Sequence, residues 1–142
     1  MKIFLDANVV IDYLVNRMPF ADDAEAVVNV CVMDGNEGAW TGLSACNAVY
    51  IIGKSVGNHK AEQLVKAVAE FLQILPICPE DIKSNLGADH PDFEDSLQIA
   101  AAQEWNADLI VTRDKDGFIN SPIKVLSPSE FLRLGAATQM GG

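Results

Sequence analysis

The chain has 142 residues, a length that fits one domain, and hydrophobic residues make up 49% of it, enough for a substantial core. Its formal net charge of −10 argues against a general nucleic-acid binder, which usually carries a basic face, but is compatible with an enzyme that holds cations against a phosphate. No apolar run reaches the roughly 18 residues of a membrane span, and the N-terminus lacks a signal-peptide core, so we expect a cytoplasmic protein.

The N-terminal third is predicted to contain one strand and two helices. Residues 2–5 are a short apolar run that indicates a buried strand, and a helix is expected from about residue 7 to 15. Pro19 stands where a second helix can begin, running to about Met33. The residues Asp34-Gly35-Asn36 are then typical of a turn.

The middle of the chain continues the alternation of strands and helices. Residues 39–43 are predicted to form a second strand, after which Ser44 is a good N-cap for a helix. Apolar residues at helical spacing predict a further helix over residues 59–72. A short strand is expected at residues 75–78, between two prolines.

The last third repeats the same pattern. A short helix is predicted from Pro79 to about residue 86, and a longer one over residues 91–105. Residues 108–112 are strongly strand-like and precede an acid-rich loop, and residues 123–126 form a last short strand. Ser127-Pro128 then begins a final helix.

Short apolar strands that alternate with helices predict an α/β domain with a mainly parallel sheet. We expect this single domain to span residues 1–134. Residues 135–142 show no periodicity and are expected to form a flexible tail.

The cysteines and histidines show no metal-binding spacing. Cys31, Cys46 and Cys78 lack the CxxC pattern, so we expect them to be small buried side chains in a reducing compartment. His59 and His90 are far apart, which argues against a histidine-based zinc site.

Several polar residues follow the predicted strands. Asp6 ends the first strand, Asn47 lies just past the second, and Asp114 and Asp116 follow the strand at residues 108–112. Ligands of parallel sheets bind outside the carboxyl ends of the strands. We therefore expect these side chains to share one edge of the sheet.

Near the first strand, Asp6 has two interpretations. It is either the N-cap of the following helix or a ligand at the sheet edge. Asn8 could orient the Asp6 carboxylate or cap the helix itself. Asp12, two helical turns beyond Asp6, is expected at the surface.

The segment HPDFEDSLQIAAA places Asp92, Glu94 and Asp95 in the first turn of a helix, where negative charge interacts favourably with the helix dipole. At about 100° per residue, Asp95 lies on the same stripe as Ile99 and Ala102. The helix is apolar nearly all round and is therefore expected to be buried on most sides. A buried carboxylate is costly unless a metal ion offsets it, so Asp95 is a candidate ligand and Asp92 a further one. Glu94 is expected to point into solvent.

The stretch TRDKDGF supports two interpretations of its acids. Asp114 and Asp116 could simply form a turn. A calcium-binding EF-hand is excluded because Phe118 occupies the next ligand position and the required glycine and glutamate are displaced. Thr112 and Asp114 are better candidates for contacting a metal-bound water or a phosphate.

Four stretches, FLDANVVIDYL, SACNAVYIIGK, DFEDSLQIAAA and LIVTRDKDGF, together resemble a PIN domain. The part from DFEDSLQIAAA to SPIKVLSPSEFL is similar to the branch that contains the VapC-type toxins of toxin–antitoxin pairs. The resemblance runs from residue 2 to about residue 134. It implies a three-layer α/β/α sandwich with a central, mainly parallel sheet of four or five short strands.

The resemblance also implies a ribonuclease that depends on Mg²⁺ or Mn²⁺. The first, third and fourth acids of the family fall on Asp6, Asp95 and Asp114, and its strand-end hydroxyl falls on Thr112. The second acid, usually glutamate, falls on Asn47. An asparagine carbonyl oxygen can still bind a cation or accept a hydrogen bond from its water, but it brings no charge.

Other residues near this set follow from the same resemblance. Asp92 stands one helical turn before Asp95, and Asp116 is one residue earlier than the family's usual second acid in its loop. Arg113 and Lys115 could meet RNA phosphates. The resemblance further implies a small antitoxin protein as partner and a homodimer.

Two alternatives stay open at this point. The chain could be a weak or inactive PIN scaffold that acts as a binding module, which the missing charge at Asn47 favours. It could instead be a phosphatase like the haloacid dehalogenases, with Asp6 as nucleophile. In that case the second motif acid falls on Asn8, and no clear lysine follows.

Overall fold

The computed structural model describes the backbone of residues 1–141 and the side chains of residues 1–135. Its central element is a parallel sheet with the strand order β3-β2-β1-β4-β5. The strands are β1 (Lys2–Leu5), β2 (Glu37–Thr41), β3 (Leu72–Leu75), β4 (Leu109–Val111) and β5 (Lys124–Leu126). The predicted α/β fold, with a mainly parallel sheet of four or five short strands, is confirmed, and the sheet has five strands, all parallel.

Helices cover the sheet and connect its strands. They are α1 (Ala7–Leu14), α2 (Ala21–Cys31), α3 (Gly42–Val56), α4 (Asn58–Val68), α5 (Pro79–Asn85), α6 (Phe93–Glu104) and α7 (Pro128–Gly141), with a short 3-10 helix at Lys115–Phe118. Within the described chain, none of these helices combines the length and the apolar composition needed to cross a membrane. The predicted tail, residues 135–142, falls outside the described side chains except for Gly135.

The sheet separates two cores because successive strand residues face opposite sides. Ile3 and Leu5 of β1 belong to the larger core, which helices from both halves of the chain complete. Phe4, between them, packs on the other face with Ile99 and Ala102 of α6. The result is the expected three-layer sandwich.

The order of the strands reverses direction next to β1. From β1 the chain proceeds to β2 and β3 on one side, then crosses to β4 and β5 on the other. The Asp6 N–H donates to the Val111 carbonyl at 3.0 Å, which extends the β1–β4 pairing beyond β1 and brings Asp6 next to Thr112. A crevice at such a switch point is where parallel sheets bind ligands.

The second strand begins and ends two residues earlier than predicted. Thr41, not Ser44, caps α3, because the Ser44 N–H donates to the Thr41 hydroxyl at 3.1 Å. The start of β2 was missed because the glycine at position 38 is not typical of a strand. A methyl group there would lie 2.7 Å from Leu72 and 2.8 Å from Cys31, so the close packing of β2 requires glycine.

The third strand was also predicted in the wrong place. Helix α4 ends at Val68, and β3 begins at Leu72, three residues before the predicted strand. Leu72 is buried, but Ile74 is 50% exposed because β3 is an edge strand. The apolar residues of this segment therefore fit a helical period as well as a strand, and only the pairing with β2 decides between them.

The cysteines differ from one another in burial. Cys31 is buried, and its removal from water raises the pKa of its thiol to about 12. Cys78 is half-buried. Cys46 is exposed, so the prediction that all three are buried is wrong for this residue.

A buried polar network joins α3 to α6 across the end of β2. The Thr41 hydroxyl donates to the Gln98 side-chain carbonyl at 3.0 Å, and the Gln98 amide donates to the Ser44 hydroxyl at 3.0 Å. All three side chains are at most 1% exposed. Because buried polar groups are costly when unpaired, this network ties the two helices to one relative position.

We expect Gln98→Leu to lower the free energy of unfolding by about 1–3 kcal/mol, because the buried Thr41 and Ser44 hydroxyls lose Gln98 and keep only each other as side-chain partners. Urea unfolding measures this change. The control is Gln103→Leu, the same substitution at an exposed position of the same helix, where the expected change is within about 0.5 kcal/mol. Equal losses in the two variants would contradict a structural role for the network.

Candidate functional site

Asp6 stands at the carboxyl end of β1, and both of its carboxylate oxygens are hydrogen-bonded. Oδ1 accepts the Ala7 N–H at 2.7 Å, and Oδ2 accepts the Thr112 hydroxyl at 2.8 Å. Asp6 is thus the N-cap of α1 and also lies in the crevice between β1 and β4. Burial raises its pKa, although the two hydrogen bonds oppose this shift, and the charges of Glu94 and Asp114 raise it further.

Thr112 organises the loop that follows β4. Its buried hydroxyl donates to Asp6 and accepts the Asp114 N–H at 3.1 Å and the Asn8 side-chain amide at 3.4 Å. The Asn8 carbonyl in turn accepts the Arg113 N–H at 3.3 Å. Asn8 therefore stabilises the backbone that follows β4, and its hydrogen-bonded connection to Asp6 runs through the Thr112 hydroxyl.

Asp95 lies half-buried in the first turn of α6. Its backbone N–H donates to the Asp92 carboxylate at 2.9 Å, so Asp92 is the N-cap of the helix. The pKa of the Asp95 side chain is raised to about 7, first by burial and then by the charges of Asp6, Asp92, Glu94 and Asp114. Asp6, Asp95 and Asp114 therefore interact electrostatically, and they are called the carboxylate cluster below.

Glu94 makes a contact that the sequence does not predict. Its side chain is exposed, which agrees with the expectation that it points into solvent, but its Oε1 accepts the Asn47 amide at 2.7 Å. Its charge raises the pKa of both Asp6 and Asp95. The contact with Asn47 was not predicted because the spacing along α6 gives no information about the helix that α6 meets.

Asp116 and Gly117 lie on the 3-10 helix after β4. Asp116 is exposed and is not among the charges that raise the pKa of Asp6 or Asp95. Gly117 packs against Asp95, and a methyl group at this position would overlap the Asp95 Oδ2 atom. Gly117 is thus a site residue that sequence reasoning missed, because its position in a DG pair is already explained by a turn.

Arg113 is anchored by a buried acid. Asp12 is 1% exposed, so its predicted surface position is wrong. It accepts Arg113 Nε at 2.6 Å and Nη2 at 3.2 Å, and Arg17 lies 3.7 Å away. The guanidinium group of Arg113 also lies 4.0 Å from the centre of the Phe20 ring. Arg113 therefore joins the loop after β4 to α1 and α2.

Lys115 forms a second ion pair, with Glu130, at 2.7 Å. The hydrogen bond from Lys115, together with those from Ser127, lowers the pKa of Glu130 to about 2. This pair is largely exposed, with 46% of the Lys115 side chain accessible. Exposed pairs of this kind contribute little to stability, so Lys115 can exchange its partner easily.

The donor set of the carboxylate cluster fits a hard divalent cation. Carboxylate oxygens are the ligands that Mg²⁺ and Mn²⁺ prefer. The raised pKa values of Asp6 and Asp95 mark a place where burial and like charge disfavour ionisation, and a bound cation would relieve both.

The distances between the carboxylates of the cluster determine whether all of them can contact one ion directly. Among the described residues, the ligand atoms that all lie within 4.8 Å of one another belong to another group, Cys78, Asp81 and Glu104. The carboxylates of the cluster are spread more widely. Mg²⁺ usually keeps several of its waters, so its protein ligands need not all touch the ion.

The Cys78 group differs in chemistry from the cluster. The Cys78 thiol donates to the Glu104 carboxylate at 3.2 Å, and a hydrogen bond with the same carboxylate raises the pKa of Asp81. Sulfur is a soft ligand that Mg²⁺ does not favour. The hydrogen bonds among its own members account for this group.

Comparison with known proteins identifies the family of the chain. The family model of the PIN domain matches residues 2–116, a range that contains Asp6, Asn47, Asp95 and Asp114. No curated protein matches the chain.

Several solved structures share the fold. Mycobacterium tuberculosis VapC20, described as a sarcin-ricin loop cleaving toxin, has a TM-score of 0.67 at 8% identity, with 83% of this chain and 94% of that chain covered. VapBC-1 from nontypeable Haemophilus influenzae has a TM-score of 0.64 at 17% identity, with coverages of 91% and 99%. A toxin–antitoxin complex from Klebsiella pneumoniae has a TM-score of 0.64 at 18% identity, with coverages of 88% and 96%. At these identities the similarity is one of fold.

The raised pKa of Asp95 predicts a pH-dependent effect of its removal in the metal-free protein. The folded-state pKa of about 7 exceeds the ordinary aspartate pKa of 3.8, so folding favours the protonated form. The free-energy cost to folding of an ionised Asp95 side chain is therefore absent below about pH 4 and grows until the pH exceeds about 7. We expect Asp95→Asn to raise the free energy of unfolding by about 1–2 kcal/mol at pH 8, after allowance for solvent screening, and to have little effect at pH 4.

Urea unfolding in the presence of a chelator, at several pH values, measures this difference. The control is Asp34→Asn, which removes an exposed acid from a turn at the opposite edge of the sheet and should show no such pH dependence. A destabilising effect of Asp95→Asn at pH 8 would show that the carboxylate is favourably paired, against the prediction.

Proposed function

The chain belongs to the PIN-domain family, and from this premise we propose that it is an endoribonuclease dependent on Mg²⁺ or Mn²⁺, the toxin of a toxin–antitoxin pair. The observation that carries the proposal is that Asp6 and Asp114 are both hydrogen-bonded to Thr112 at the switch point of the sheet, where their charges also act on Asp95. The description of VapC20 as a cleaving toxin supports it, and the sequence resemblance to PIN-domain toxins adds RNA as the substrate.

In the proposed mechanism Asp6, Asp95 and Asp114 would hold the cation through carboxylate oxygens, either directly or through its bound waters. When bound, the cation supplies Lewis acidity that activates water and offsets the charge of the phosphate. Thr112 keeps the Asp6 carboxylate in one orientation through its 2.8 Å hydrogen bond. Asp92 fixes the first turn of α6, and with it the backbone of Asp95.

The substrate meets a protein with a net charge of −10, so positive side chains near the cluster matter for binding. Lys115 is proposed as the phosphate contact, because it is accessible and its pairing with Glu130 is a surface one. Arg113 is instead held by Asp12, which is buried, and leaving that acid unpaired would be costly. Arg113 therefore positions the loop that carries Asp114.

The proposed partners are a small antitoxin protein and a second copy of the chain. The similar fold of a chain from a Klebsiella pneumoniae toxin–antitoxin complex supports the antitoxin. The binding-module alternative stays a second candidate because Asn47 brings no charge to the cluster. The family match leaves the phosphatase alternative without support.

We expect Asp6→Asn/Asp95→Asn to abolish Mg²⁺-dependent cleavage of RNA, because two of the three carboxylates proposed to hold the cation are lost. Cleavage of a mixed RNA pool with and without Mg²⁺ measures this. The control, Asp34→Asn/Glu70→Gln, removes two exposed acids that precede β2 and β3 and should cleave normally. Undiminished cleavage by the first variant would reject the site. An unmodified protein that binds Mn²⁺ and RNA but never cleaves would favour the binding module.

Gly117→Ala tests the position of Asp95 without removing a charge. The new methyl group overlaps the Asp95 Oδ2 atom and must displace the carboxylate. We expect the Mn²⁺ concentration for half-maximal cleavage to rise about tenfold while the fold is retained. In the control Gly42→Ala, the methyl meets Ile74 at an ordinary distance of 3.8 Å, and the requirement should not change. An unchanged requirement in Gly117→Ala would place Asp95 outside the cation site.

A further inference from the structure

We propose that Glu94 supplies to the cation site the carboxylate that position 47 lacks, and that Asn47 is the residue that positions it. This inference rests on the proposed metal site and deepens it by adding an acid from α6. It assigns a role to the two residues that the family comparison leaves unexplained, an asparagine in place of an acid and an additional acid beside Asp95.

The first observation is the contact between the two side chains. Asn47 Nδ2 donates to Glu94 Oε1 at 2.7 Å. An asparagine amide cannot provide the negative charge that a divalent cation needs, but it can orient a carboxylate that does. Glu94 keeps its second oxygen, and the other lone pair of Oε1, for a further ligand.

The second observation is the place of this contact in the fold. Glu94 stands in the first turn of α6, directly before Asp95. Its partner Asn47 lies in α3, at the position where the family's second acid falls. The contact therefore places the Glu94 carboxylate between that position and Asp95.

The third observation explains why the contact is a built feature of the fold. Ser44 stands three residues before Asn47 in α3, and Gln98 stands four residues after Glu94 in α6. Residues three or four apart share one face of a helix, so Asn47 and Glu94 extend the line of contact that the buried Ser44–Gln98 hydrogen bond begins. The core network thus determines that the half-buried Asn47 and the exposed Glu94 meet.

Calorimetric titration of the chelator-treated full chain with Mn²⁺ tests the proposal without relying on cleavage. We expect Glu94→Gln to weaken Mn²⁺ binding by about tenfold or more, while the control Glu70→Gln, at an exposed position, binds normally. The variant Asn47→Glu/Glu94→Gln moves the negative charge from position 94 to position 47 and should restore most of the affinity for Mn²⁺. Because Glu94 is exposed, thermal unfolding should show all these variants folded.

The role of Asn47 is tested by a double-mutant cycle with the same titration. Asn47→Ala should weaken Mn²⁺ binding by a few-fold in the unmodified chain and have no effect once Glu94 is glutamine. Additive losses would overturn the positioning role of Asn47.

Two further outcomes would overturn the role of Glu94: normal affinity in Glu94→Gln, or no recovery in Asn47→Glu/Glu94→Gln. The variant Asp6→Asn/Asp95→Asn separates this failure from that of the proposed function. If that variant binds Mn²⁺ normally, the whole cation site is rejected. If it loses binding while Glu94→Gln does not, only the role of Glu94 is rejected.

Discussion

Mutual repulsion among carboxylates at one sheet edge is the constraint that the rest of the structure must satisfy. The hydrogen bonds that hold Asp6 and Glu94 come from neutral donors, namely the Ala7 N–H, the Thr112 hydroxyl and the Asn47 amide. These bonds orient the acids but leave their charge uncompensated. The folded chain therefore holds a concentrated negative charge whose natural complement is a hard cation.

Polar interactions as well as apolar packing hold the carboxylates in place against this repulsion. Backbone pairing between β1 and β4 extends beyond β1 and places Asp6 beside Thr112. Beneath the site, the Thr41–Ser44–Gln98 network connects α3 and α6, which cover different parts of the sheet. Since each buried hydroxyl and amide needs its partner, the two helices have one favourable arrangement. That arrangement determines which exposed side chains meet above the network.

The sequence predicted most of the elements and failed where local patterns are ambiguous. Apart from Lys2 at the start of β1, strands β1 and β4 consist of buried apolar residues, and they were predicted to within one residue at each end. Strand β3 was misplaced because an edge strand with one buried side carries no distinctive pattern. The fully buried position of Asp12 was not predicted because its partner, Arg113, is 101 residues away in the chain.

What the sequence determined by itself was the alternation of strands and helices, and with it the edge to which Asp6 and Asp114 are delivered. Those features depend on hydrophobic period and chain order, which are local. Only the tertiary structure decided that Glu94 faces Asn47 and that Gly117 packs against Asp95. A helical period tells which residues share a face of one helix, but the partner of that face is chosen by packing across the whole chain.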